Sequence, residues 1–291
     1  MTSGNSKEGT VDRLLKRSRN EGFRHSILLF VLGLELLPFY MMVQSSVKDN
    51  RGFIENPWLP VAPWNLDGYH LGNLVEAVKT VFPMLYNTLF IAIFTVFATL
   101  VASVFAAYFF ARYKMPGSGI LWSIFLFLMI MPGIVNIVPL FAILGNLNLL
   151  NTLWALIIVH TAGGQVFNMF ILRNFIEEIP KDLFDAAEVD GASHLKQIYH
   201  IVIPLAAPII GTLSILIFIS SWNEYLLPLI VLRDPELFPI GVGLIYMDGE
   251  PIKEWGKVMA AYFVASVPLI ILFSFAMRLF IRGVMGGAIK G

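Results

Sequence analysis

"DAAEVDGASHLKQIYHIVIPLAAP", Asp185 to Pro208, is a short charged, alanine-rich passage set between strongly apolar runs. Its first half reads as a helix. Pro180, just upstream, suits a first helical turn, where a missing N–H costs little. Asp182 and Asp185 favour the positive end of the helix dipole, and Gly191 supplies a left-handed stop. Leu183, Ala186, Ala187 and Asp190 fall at i, i+3, i+4 and i+7, one small-residue face flanked by carboxylates. "HLKQIYHIVIP" (194–204) predicts a second short helix that ends at Pro204, where apolar sequence resumes. A helix resting on a lipid surface usually carries Lys and Arg opposite bulky apolar residues. This one is acidic and small, a pattern that favours lying in the groove of another protein.

The surroundings of that passage set the class. Of 291 residues, 57% are hydrophobic and 14% charged, with mean hydropathy +0.74, whereas a soluble domain carries about 25% charge. A spanning helix needs about 20 mostly apolar residues. Six such runs stand near 26–44, 86–110, 120–144, 152–172, 205–231 and 258–281. They are continuous rather than alternating, which excludes a barrel. The expected fold class is therefore an all-α integral membrane protein with six transmembrane helices. The first run follows basic residues, as a signal peptide would. However, it ends in "MMVQSSVKDN" (41–50) without an A-x-A-like cleavage site, so it reads as an uncleaved span. With no cysteine, disulfides and thiolate metal sites are excluded. The five histidines show no ligand spacing, and no metal or bound cofactor is expected.

Basic residues orient the chain. With the N-terminus cytoplasmic, the six external ones are Lys48, Arg51, Lys79, Arg233, Lys253 and Lys257, and the other fourteen of the 20 Lys and Arg lie inside. The expectation is N-in and C-in, with the segment 173–204 cytoplasmic. The external segments near 45–85 and 232–257 carry Trp58, Trp64 and Trp255. They read either as interfacial belts or as docking surfaces for an extracytoplasmic partner.

Polar groups within the spans are the other candidates, because they are costly there and often functional. Asn136 lies between Pro132 and Pro139, a pair that implies a bent helix. The fourth span carries "HTAGGQVFN" (160–168), where Gln165 and Asn168 suit either a polar solute or helix packing. His160 reads as a packing residue. Glu224, with Trp222 and Asn223, stands near the outer end of the fifth span, either lining the pathway mouth or held at the interface. Glu35 lies midway along the first span.

The pattern D-A-A-x-x-D-G-A-S followed by I-V-I-P-L-x-x-P resembles the EAA motif of binding-protein-dependent ABC importer permeases. The resemblance continues through "YNTLFIA" and "FAAYFFARYKMPG" (86–117), "MIMPGIVNIVPLFAILGNLNLLNT" (129–152), "WNEYLLPLIVL" (222–232) and "FIRGVMGGAIKG" (280–291), covering about 85 to 291. These stretches are similar to the carbohydrate-type, maltose-type members with a MetI-like transmembrane domain. One departure is Asp185 where the motif has glutamate. The resemblance implies a type I importer transmembrane domain in a bacterial plasma (inner) membrane. It implies a coupling helix in which Asp185, Ala186, Ala187, Glu188, Asp190 and Gly191 contact an ATPase, with Lys290 and Gly291 as a further tail contact. Implied partners are a second homologous permease, two cytoplasmic ATPase subunits, an external solute-binding protein and a sugar substrate, in lipid and without nucleic acid. The chain lacks G-x-x-x-x-G-K-[ST], so ATP and Mg would be used by the partner ATPase and this subunit is not itself an enzyme. The expected divisions are a tail at 1–25, the first span and external segment at 26–84, the core at 85–282 with its loop at 173–204, and a tail at 283–291. The competing reading is a self-contained ion-coupled secondary transporter, which predicts an internal repeat and midplane carboxylates; no convincing repeat is visible.

Overall fold

The structure, a computed structural model, describes residues 5–62, 65–113, 116–131, 133–249 and 253–288, with side chains described over these residues except at 5–20, 66, 134, 248 and 275–288. Among the described residues there is no strand. The helices are α1 (Asn5–Ser46), α2 (Asn50–Glu55), α3 (Gly72–Arg112), α4 (Ser118–Ile130), α5 (Ile137–Asn146), α6 (Leu153–Glu177), α7 (Lys181–Val189), α8 (His194–Gln197), α9 (Ile203–Asn223), α10 (Leu226–Val231), α11 (Ile240–Asp248) and α12 (Trp255–Ala288). Among the described residues, five stretches are long and apolar enough to cross a membrane: Glu21–Ser46, Gly72–Arg112, Leu153–Glu177, His194–Asn223 and Trp255–Ser274.

The third expected span, 120–144, is not one bent helix. It is divided into α4 and α5 by a 3-10 turn at Gly133–Asn136. Met131 leaves the helix at φ −68°, ψ 125°, the conformation a residue before proline prefers. Pro139 breaks nothing, because it sits in the first turn of α5, where no intrahelical N–H bond is lost.

The fifth span also differs from expectation. α8 does not stop at Pro204 but runs through a π turn, Ile198–Val202, straight into α9. A proline ring collides with the carbonyl four residues earlier, and the wider π turn gives that carbonyl room. At the other end, the helix expected to reach 231 ends at Asn223 and resumes as α10.

The chain forms two compact units, one from Met1–Ala77 with Ile252–Val264, the other from Val78–Pro251 with Ala265–Gly291. In the first, Lys48 is 3% exposed, and its Nζ donates to the carbonyls of Asn56 and Leu59, both at 2.7 Å. Burial pushes this ammonium below the ordinary lysine value. Asn50 joins the external segment to the start of α12: its Nδ2 donates to the Lys253 carbonyl at 2.6 Å and its Oδ1 accepts from Trp255 N–H at 2.7 Å. Trp255 stacks on Phe53 at 5.3 Å, while Trp58 is 62% exposed. A Cβ at Gly256 would sit 1.9 Å from the Lys48 carbonyl, so only glycine allows this approach. Residues 21–40 of α1 are exposed within the chain, Glu35 included, and burial begins only at its end, with Gln44, Ser45 and Ser46.

The second unit has two cores. One joins Val104 and Tyr108 of α3, Leu172 and Ile176 of α6, Phe184 of α7, Ile198 and Val202 of the π turn, and Leu213 of α9. The other joins Ile91, Leu156, Val231, Phe238 and Val242. Asn151, in the left-handed region at φ 60°, ties the loop before α6 to the loop after α10. Its Oδ1 accepts from the N–H groups of Arg233 (2.9 Å) and Asp234 (3.1 Å), and its Nδ2 donates to Asp234 Oδ2 (2.7 Å).

Candidate functional site

Two features of the second unit stand out: the short helix α7 and a half-open cavity. α7 has nine residues with Asp182 in its first turn. It closes in a Schellman arrangement. Ala192 N–H reaches the Ala187 carbonyl at 2.8 Å, Gly191 N–H reaches the Glu188 carbonyl at 3.0 Å, and Gly191 takes φ +72°.

One side chain anchors α7. Phe184 is 1% exposed, with the Arg112 guanidinium 3.9 Å above its ring and the Tyr108 ring centroid at 6.3 Å. Behind this contact, Tyr108 Oη donates to Gln197 Oε1 at 2.6 Å, and Tyr113 Oη meets His194 Nδ1 at 2.8 Å. The end of α3 and the start of α8 thus brace α7 from beneath. On the outer side Leu183, Asp185, Ala186, Glu188, Asp190 and Gly191 are exposed and Ala187 is half-buried. Val189, 88% exposed, completes an apolar strip with Leu183 and Ala186 at i, i+3 and i+6. Sequence reading placed the small-residue face but missed both Phe184 and Val189. A single aromatic among alanines and carboxylates is the signal that pointed inward.

The cavity, about 770 Å³, lies among α3, α5, α6 and the end of α9. Asn168 of α6 and Glu224 line it, as expected candidates, together with Thr95, His160 and Ser221. Most of the remaining wall is apolar, with Gly133 and Ile137 from the break in the third span among it. The other four candidates lie elsewhere. Asn136 is exposed at the end of the 3-10 turn. Gln165 is half-buried, its carbonyl accepting from Ser103 Oγ at 3.2 Å. Trp222 is buried and stacks on Phe218 at 5.5 Å, and Asn223 is exposed, its Nδ2 donating to the Ile219 carbonyl at 3.0 Å. Lys290 and Gly291 fall outside the described residues.

Glu224 has a structural task as well. Its Oε1 accepts from the N–H groups of Leu226 (2.9 Å) and Leu227 (3.2 Å), capping α10 where the fifth span breaks. Thr95 was missed by sequence reading, although Thr95, Thr99 and Ser103 recur every four residues and so mark one polar face of α3. A Cβ at Gly164 would meet Thr99 Cγ2 at 3.5 Å, so α3 and α6 pack closely along that face. Among the described residues, no three His, Asp or Glu side chains are placed to hold a metal ion.

Residues 100–286 match the family described as binding-protein-dependent transport system inner membrane component. A probable ABC transporter permease protein of Pyrococcus horikoshii is 31% identical over 259 residues, covering 88% of this chain and 92% of that protein. The trehalose/maltose transport system permease protein of Thermococcus litoralis is 30% identical, over 88% of this chain and 92% of its own. In structure, a chain of a bacterial ABC transporter involved in the import of the acidic polysaccharide alginate aligns with TM-score 0.78 and 24% identity, covering 91% of this chain and 98% of that one; this likeness concerns the fold. With its apolar spans and these matches, the chain belongs to the family of binding-protein-dependent transport system inner membrane components, the multi-pass permease subunits of ABC importers.

Proposed function

We infer that the chain forms half of a translocation pathway for a sugar or oligosaccharide and couples it to a cytoplasmic ATPase through α7. The observation that carries the coupling is the two-sided build of α7: an exposed acidic strip of small residues outside, and Phe184 buried against Tyr108 and Arg112 at the end of α3 inside. Such a helix transmits force, because its outer face grips a partner while its inner face is packed into the spans. In this reading Asp185, Ala186, Ala187, Glu188, Asp190 and Gly191 lie in a cleft of the ATPase. The tail at 283–291, with Lys290 and Gly291, returns to the same interface. ATP closes the ATPase pair, the docked helices move together, and the spans turn from inward-facing to outward-facing. Hydrolysis, performed by the partner with Mg, resets them.

The assembly would hold a second related permease, two ATPase subunits and an external solute-binding protein. The orientation is N-in and C-in, with 26–84 presenting the external segment and 85–282 forming the transport core. The candidate pathway residues remain Asn136, Gln165, Asn168, Trp222, Asn223 and Glu224, with Asn168 and Glu224 favoured by their place on the cavity wall. Trehalose and maltose, named for the Thermococcus relative, support a sugar as solute.

A mild-detergent pull-down from the native host, followed by mass spectrometry, tests this. Recovery of an ATPase and a second permease, both lost in Gly191→Leu, is the expected outcome. A chain recovered alone that supports ion-dependent uptake in vesicles would overturn the reading in favour of a secondary transporter.

A further inference from the structure

We propose that the bend at 56–60 is a wedge set into the membrane interface, with Trp58 and Leu59 immersed in lipid where headgroups meet acyl chains. In the N-in arrangement this is the outer leaflet. The inference rests on α1 crossing the membrane, and not on the solute or the ATPase. "NPWLPVA" (56–62) carries no charge, and its two prolines, Pro57 and Pro60, bring no N–H to satisfy. Trp58 and Leu59 are 62% and 61% exposed, two large apolar side chains in succession that this chain leaves largely uncovered.

α1 sets the depth of the bend. Tyr40 and Gln44 stand one turn apart on one face of α1, and Lys48 follows just past its end. These three donors hold four successive carbonyls. Lys48 Nζ takes Asn56 and Leu59, Gln44 Nε2 donates to Pro57 at 2.5 Å, and Tyr40 Oη donates to Trp58 at 3.1 Å. The bend therefore dips along α1, held at its two sides by Lys48 and at Trp58 by the deepest donor. Tyr40 lies inside the apolar run 26–44, six residues before the end of α1, about 9 Å of rise. Its side chain leans toward the N-terminal end of the helix, further into the membrane. Tyr and Trp rings gather at that depth, the boundary between lipid and water.

The way the backbone is closed favours lipid over a protein partner. Non-helical backbone at membrane depth needs its polar groups received within the protein, and each carbonyl from 56 to 59 already has a donor from α1 or Lys48. A protein partner meets a polar rim and exchanges hydrogen bonds with it, whereas 56–62 offers no charge and, over 56–59, no carbonyl lacking a donor. Asn50 ties the same unit to the start of α12. The wedge thereby fixes the height at which α1 leaves the membrane and α12 enters it.

The natural chain contains no cysteine, so Leu59→Cys carrying a nitroxide reports on the bend in the purified native assembly, once partner cysteines are replaced. The assembly is held in nanodiscs of phosphatidylethanolamine and phosphatidylglycerol. Oxygen, which collects in lipid, and a neutral nickel chelate, which stays in water, compete to relax the label. Arg51→Cys, at an exposed position of α2, is the water reference. The expected depth at Leu59→Cys is about 5–10 Å into the headgroup–acyl boundary. Adding Tyr40→Phe leaves the Trp58 carbonyl without its donor, and the label is expected to sit shallower by about 3 Å, the length of the bond lost. Lipids brominated near the carbonyl end of the acyl chain give a second reading that leaves Leu59 intact: they quench the natural protein more than Trp58→Phe, by the share of Trp58. Nickel relaxation at Leu59→Cys as strong as at Arg51→Cys would place the bend in water. A label reached by neither reagent would place it under a partner protein. Either result overturns the wedge, as does equal quenching with and without Trp58, and an unchanged depth in Tyr40→Phe overturns α1 as the element that sets it.

Discussion

Replacing Phe184 by alanine tests whether α7 is a mechanical part. The ring is 1% exposed, and emptying such a site costs about 3–5 kcal/mol. The Arg112 guanidinium, 3.9 Å from the ring centre, adds about 0.5–1 kcal/mol at a half-exposed position. α7 has only nine residues, fewer than the 12–15 or so at which an isolated helix becomes even marginally stable in water, so packing at this ring keeps it formed and docked. A loss of about 3 kcal/mol raises the undocked population by more than about a hundredfold.

Hydrogen exchange on the assembled importer reads this directly. Amides of 181–191 are expected to exchange about a hundredfold faster in Phe184→Ala, with those of α6 unchanged. Solute uptake per ATP hydrolysed falls in parallel. Phe184→Leu keeps most of the apolar volume and is expected to lose only about 1 kcal/mol. If Phe184→Ala left exchange over 181–191 within about twofold of the natural protein, Phe184 would not be the anchor and the force-transmission argument would fail.

Gly191→Ala forces a side chain into the left-handed region at φ +72°, costing about 1–2 kcal/mol; ATPase recovery in a titrated pull-down is expected to drop, and Gly191→Asn to restore much of it. Asn151→Ala removes the hydrogen bonds to Arg233 and Asp234, whose groups are exposed and can turn to water, and puts alanine in the left-handed region at φ 60°, together about 2–3 kcal/mol. The expected result is a thermal midpoint lower by a few degrees, with ATPase recovery unchanged. Lys48→Met leaves the carbonyls of Asn56 and Leu59 without their donor, so limited proteolysis is expected to cut faster within 48–60, again with ATPase recovery unchanged.

Membrane class and the place of α7 were open to reading because each rests on local composition. Long apolar runs, a proline, carboxylates and a glycine stop carry their meaning within about ten residues. Features that depend on distant partners were hidden. Phe184 is defined by Arg112 and Tyr108, residues more than seventy positions away. The capping of α10 by Glu224 is visible only once the fifth span is known to break there. The division of the third span escaped because both pieces are equally apolar, although the Met131-Pro132 step was a local clue. Cavity-facing Thr95 was masked by its small polarity within a strongly apolar run, where only the four-residue recurrence with Thr99 and Ser103 distinguishes it.

The division between α4 and α5 has a consequence for biogenesis. α4 has 13 residues, a rise of about 20 Å, against a hydrocarbon core of about 30 Å. A segment that short cannot leave the insertion machinery as a self-sufficient span. Backbone outside a helix is tolerated at membrane depth only where protein or water receives it, and Gly133 and Ile137 do border the cavity. Integration of this region must therefore wait until α5 and α6 have been synthesised and can enclose the break. Errors near Gly133 would surface as chains that enter the bilayer with the wrong topology, before any question of solute or ATP arises.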